Sequence, residues 1–98
     1  MIARAWRGTA KVGAAGAYLD HFRAQVQPAL QRLPGHRGAQ VLVRGNELLV
    51  LTFWESTDAV RAFAGNDPER AVVEPEARAV LAAFDDFVLH YEVAHESR

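Results

Sequence analysis

The stretch from Glu47 to Phe63, ELLVLTFWESTDAVRAF, changes hydrophobic period within a few residues and so dictates a strand that turns directly into a helix. Leu48–Trp54 is apolar and β-favouring except at Thr52, the pattern of a strand covered on both faces. Glu55, Ser56, Thr57 and Asp58 then supply cap chemistry and first-turn acid for a helix whose inner residues are Ala59, Val60 and Phe63. A strand covered twice needs two covers. In a chain of 98 residues, long enough for one domain with a modest core, its own helices supply one cover and a second copy the other.

The remaining elements follow from the same kind of patterning. Ile2–Gly8 alternates and ends on glycine, which predicts a strand. Between Gly13 and Leu33 the positions Ala15, Tyr18, Leu19, Phe22, Val26, Leu30 and Leu33 recur at steps of three and four, the stripe of an amphipathic helix. Pro28 lies inside it and predicts a kink or break near Gln27. Arg37–Arg44 alternates, Gly45-Asn46 makes the turn, and the strand from Glu47 completes a hairpin. A helix over Ser56–Ala64 stops at Gly65-Asn66. Asp67-Pro68 and Glu74-Pro75 each read as a cap followed by proline at a first helical position, and Pro75–Phe84 reads as a helix. Asp85-Asp86 turns the chain into a last strand, Phe87–Ala94, before a polar tail, His95–Arg98, expected to fray.

Strand, helix, strand, strand, broken helix, strand is the order of an α+β domain: a ferredoxin-like four-stranded antiparallel sheet with helices on one face. The wholly apolar sets (Ala39, Val41, Val43; Leu49, Leu51, Phe53; Phe87, Leu89, Tyr91, Val93) are expected to face the helices. The opposite face then carries Ile2, Trp6, Leu42, Leu48, Val50, Trp54 and Val88, too much apolar surface to leave in water. Two such sheets packed face to face, a homodimeric α+β barrel with Trp6, Val50 and Trp54 at its interface, are the expected cover.

Composition excludes several functions. A formal net charge of -1 with no basic run gives no electrostatic footprint for nucleic acid or for an anionic membrane surface. Cysteine is absent, which removes disulfides, thiolate metal sites and cysteine nucleophiles and fits a cytoplasmic location. No segment has the pattern of a signal peptide or the length of a membrane span. His21, His36, His90 and His95 lack metal-site clustering, so no metal is expected.

Three segments carry a family likeness: MIARAWRG as first strand, LVLTFWESTDAVRAFAG as strand-to-helix junction, and VLHYEV as last strand. In these the chain resembles the antibiotic biosynthesis monooxygenase superfamily over nearly its whole length. The resemblance implies a dimeric α+β barrel. It also implies one of several activities: cofactor-free oxygenation of quinols and aromatic polyketides, heme degradation, or none assigned, and fold alone does not choose among them. Heme-degrading members carry a first-strand asparagine, a helix tryptophan and an iron-binding histidine. Here the first strand offers Arg4, Trp6 and Arg7, Phe63 stands at the helix position, and Val73 falls near the histidine position. A valine cannot bind iron, so that branch is not expected.

The resemblance therefore points to a cofactor-independent oxygenase taking a small aromatic or quinol-like substrate and dioxygen. Such chemistry needs a water-excluding pocket, a base, a donor for the resulting anion and aromatic walls. His90 is the candidate base and Arg4 the candidate partner of the phenolate. Trp6, Trp54, Tyr91 and Phe63 are the candidate walls. Structural roles compete: Trp54 and Trp6 as packing anchors, His90 as a hydrogen-bonded interface residue, Arg4 as the ion-pair partner of Glu92, Tyr18 as core and His21 as a solvated residue. The rival function is a non-catalytic ligand-binding or structural barrel, with an isomerase or decarboxylase-like use of the pocket as a third. The pocket is expected either between sheet and helices or at the dimer interface.

Overall fold

The computed structural model describes residues 1–97. Its elements are β1 (Ile2–Ala10), α1 (Ala15–His21), a π-helical segment (Phe22–Val26), α2 (Gln27–Gln31), β2 (His36–Arg44), β3 (Glu47–Trp54), α3 (Thr57–Ala64), α4 (Pro75–Val80), β4 (Leu81–Phe84) and β5 (Leu89–Glu92). The sheet runs β2-β3-β1, and the place beside β1 is shared by β4 and β5. β4 pairs with Gly8–Ala10 and β5 with Ile2–Ala5, all antiparallel. This is the expected ferredoxin-like order, with the fourth position broken around Asp85–Val88. Among the described residues no helix is long and apolar enough to cross a membrane.

Local chemistry explains the joints. Ser56 caps α3, its hydroxyl accepting from the Ala59 N–H at 3.2 Å. Pro28 does not break the first helix. Its missing N–H is absorbed by the π-helical turn over Phe22–Val26, and α2 continues to Gln31. Gly35, at φ +84°, turns the chain into β2 so closely that a Cβ there would lie 2.6 Å from the Ala59 Cβ. Only glycine fits that approach. The expected helix over Pro75–Phe84 ends at Val80, because Leu81 enters the sheet opposite Ala10.

The expected faces of β3 and β5 are exchanged. Leu48, Val50, Thr52 and Trp54 are buried against the helices with Tyr18, Phe22, Leu30, Val60 and Ala77. Leu49, Leu51 and Phe53 lie on the other face, as do Leu89 and Tyr91, which the register sets opposite Ala5 and Ala3. Ala39 and Val41 of β2 do face the core as expected. The reversal follows from Thr52. Its hydroxyl accepts from the Trp54 indole N–H at 2.9 Å, so the one polar residue of the run is satisfied inside. The surface expected to need a partner, carrying Trp6, Val50 and Trp54, is instead covered by this chain's own helices.

Candidate functional site

β1 places Ile2, Arg4, Trp6, Gly8 and Ala10 toward the helices, so a strand of mixed polarity directs one guanidinium into the core. Arg4 is 4 % exposed. Among the described residues no carboxylate pairs with it. Its Nη2 donates to the Arg70 carbonyl at 2.8 Å and its Nη1 to the Pro68 carbonyl. Nη1 also lies 3.2 Å from His90 Nε2, directly across the β1–β5 pair. A guanidinium has only donors, so His90 accepts at Nε2 and carries its hydrogen on Nδ1. Burial lowers the Arg4 pKa to about 10. Burial, and then the charge of Arg4, lower that of His90 against a smaller opposing effect of Glu69.

Arg4, Trp6, Tyr18, Phe22, Phe63 and Glu74 line a cavity of about 50 Å³ between sheet and helices. The Trp6 ring stacks on Tyr18 at 6.0 Å, and its indole N–H donates to the Asp85 carbonyl. Phe63 lies 5.7 Å from the Arg4 guanidinium carbon and stacks on Trp54 at 5.6 Å. This volume holds about one or two waters, so a ring ligand requires the walls to part. One wall, Val72–Glu74, is irregular backbone, and the other includes the π-helical turn. A groove of about 550 Å³ near the Gly45-Asn46 turn is larger. It opens to solvent between Arg7, Leu42, Leu49 and Asp85 and includes neither Arg4 nor an aromatic stack. The small cavity, where a buried cation meets stacked rings, is the better candidate.

The structure thus gathers Arg4, Trp6 and Phe63 at one cavity and sets the other expected residues apart. Trp54, fully buried, packs behind Phe63 and does not line the space. Tyr91 is 55 % exposed on the open sheet face, so it is no wall of this cavity. His90 touches Arg4 rather than the cavity. Arg4 does not pair with Glu92, which stands opposite Ile2 in the register. His21, expected in solvent, has a side chain only 8 % exposed. Glu74 and Tyr18 line the cavity although no sequence motif marked them. Burial raises the Tyr18 pKa, with the nearby Glu74 charge adding to the effect. That hydroxyl stays neutral at every physiological pH.

A sheet with helices on one face and a buried pocket between the layers defines a class of small α+β ligand-site proteins. Residues 1–75 match the antibiotic biosynthesis monooxygenase family, and the chain belongs to it. MhuD from Mycobacterium tuberculosis, a heme degrader solved with two hemes bound in its active site, is 23 % identical with a TM-score of 0.73, and each chain is covered in full, 100 % and 100 %. A variant of MhuD with two manganese protoporphyrin IX per active site is 27 % identical, with a TM-score of 0.69 over 100 % of this chain and 99 % of that one. A variant of SnoaB, a cofactor-independent oxygenase from Streptomyces nogalater, is 20 % identical, with a TM-score of 0.70 over 97 % and 94 %. No curated protein matches the chain.

The residues present do not suit heme. Of the cavity's side chains only Tyr18, Thr52 and Glu74 offer oxygen lone pairs. Tyr18 is the sole one of a type that commonly ligates heme iron, and burial keeps it a neutral phenol.

Proposed function

We propose that the protein is a cofactor-independent oxygenase of a small phenol or quinol. The observation that carries this reading is Arg4, a buried cation that meets no carboxylate among the described residues, facing an aromatic cavity in a chain of this family. In this reading Arg4 meets the phenolate oxygen, Trp6 and Phe63 clasp the ring, and His90 holds the guanidinium in place. The phenolate passes an electron to dioxygen and the two combine. A ring C–H becomes a carbonyl with one oxygen atom, and the other leaves as water with the two hydrogens lost by the substrate. The substrate is therefore its own reductant.

The working unit in this reading is a homodimer. The open sheet face carries Leu42, Leu49, Leu51, Phe53, Leu89 and Tyr91, of which Leu89 is 60 % exposed, and a second copy is the natural cover. A cysteine-free sequence supports a reducing compartment such as the cytoplasm.

The test is oxygen uptake with a panel of quinols and anthrone-like phenols. Wild type consumes oxygen with at least one of them, and Arg4→Gln lowers kcat far more than His90→Ala does. No uptake by wild type with any member contradicts the enzyme reading and favours a ligand-binding barrel.

A further inference from the structure

Glu74 begins α4, yet its side chain accepts no bond from that helix. Its carboxylate turns instead toward α1, where Oε2 lies 3.5 Å from His21 Nε2. That nitrogen is buried and has no hydrogen-bond partner. The contact is long for a hydrogen bond and within the reach of an ion pair. It sets an imidazole nitrogen beside a carboxylate. Unpaired buried polar atoms are costly, and one added proton satisfies both: an imidazolium Nε2–H donates to the Glu74 carboxylate, imidazole being the more basic of the two groups.

The surroundings fit such a role. Glu74 lines the cavity together with Tyr18 and Arg4, and its side chain is 38 % exposed, so it stands between the cavity and solvent. Tyr18 and His21 face it from α1. Arg78 of α4 is engaged with the Val73 carbonyl at 3.2 Å and with the Phe84 ring. His90, by contrast, has its Nε2 lone pair occupied by Arg4.

We infer that Glu74 and His21 together form the proton acceptor of the cavity. The ligand O–H bond breaks, its proton passes by way of a Glu74 oxygen to His21 Nε2, which then donates to the carboxylate, and the electron pair stays on the ligand oxygen opposite Arg4. This rests on the proposal above that the cavity receives a phenol, and it moves the base from the last strand to the contact between α1 and the residue before α4.

The experiment uses 4-nitrophenol, whose neutral and anionic forms absorb at different wavelengths, below the pH at which the free phenol ionises. In weak buffer with a pH indicator, wild type binds it as the anion without net proton release. Glu74→Gln either loses the anion signal or releases about one proton per ligand bound. His21→Phe, which keeps the bulk but removes the basic nitrogen, raises the pH at which the bound anion appears by at least about one unit, a tenfold or weaker acceptor. Glu74→Gln matching wild type in both spectrum and proton release overturns the inference, as does wild type binding the neutral phenol, and both leave the cavity reading standing. A probe spectrum unchanged by wild type at any concentration overturns the cavity reading and this inference with it.

Discussion

Arg4 and His90 face each other across the β1–β5 pair, and the guanidinium donates to the imidazole Nε2 over 3.2 Å. A protonated His90 would set two cations in contact, so the folded state binds this proton less readily than the unfolded chain, whose histidine titrates near 6.5. The unfolded chain then carries more protons as pH falls through 6.5, and stability drops; above that pH both states are neutral and the effect vanishes. His36, also depressed by burial, adds in the same direction. Urea unfolding from pH 8 to pH 5 is expected to show this decline, and His90→Gln to make it shallower. An unchanged slope in His90→Gln contradicts the assignment.

Trp54 is a packing anchor, and its substitution reads as stability. Trp54→Ala is expected to cost about 3–5 kcal/mol in a denaturant melt, since it empties a fully buried site against Phe63. Thr52→Val keeps the shape but strands the indole N–H, at about 1–3 kcal/mol.

Two glycines with similar φ separate backbone strain from steric collision. Gly13, at φ +75° with open space around it, costs about 1–2 kcal/mol on substitution by alanine. Gly35→Ala meets the same strain and also drives a Cβ into Ala59 and Glu55, adding about 1–3 kcal/mol of overpacking. Thermal melts of the two variants are expected to fall in that order.

In the proposed homodimer a second copy covers the open sheet face. Leu89→Lys and Tyr91→Lys place charge on that face without touching the core, and each is expected to convert a dimer to a monomer by sedimentation, with little loss of helical signal. A wild-type monomer at all concentrations contradicts this account of the face.

The patterning made the strand-to-helix junction legible because Ser56 and Asp58 are specific to a helix start, and Gly45-Asn46 is specific to a hairpin. The faces of β3 were not legible. Leu48–Trp54 is apolar at both parities, so its only polarity cue was Thr52, and that hydroxyl is satisfied internally by Trp54. Leu81–Phe84 is too short for its period to separate strand from helix, and pairing with β1 decides. At the site, Arg4, Trp6 and Phe63 stood out as a charge and rings on ordered elements. Glu74 and His21 did not, because their relation is a contact between α1 and a loop far along the chain. The sequence Glu74-Pro75 reads as a cap, and Glu74 does hold the N-cap of α4 with proline after it, but its side chain turns to His21, which the sequence could not show.

The most direct test of the cavity as the ligand site uses the two tryptophans, which lie on opposite sides of Phe63's wall: Trp6 lines the cavity and Trp54 does not. Protein labelled with 5-fluorotryptophan gives two fluorine resonances, assigned by Trp54→Phe, and is titrated with a quinol that the protein binds. The account requires the Trp6 resonance to move with saturation while that of Trp54 stays nearly still, and the Trp6 shift to disappear in Arg4→Gln. A bound quinol that leaves Trp6 unmoved, or whose binding is lost on changing Leu42 and Leu49 in the open groove but not Arg4, contradicts it.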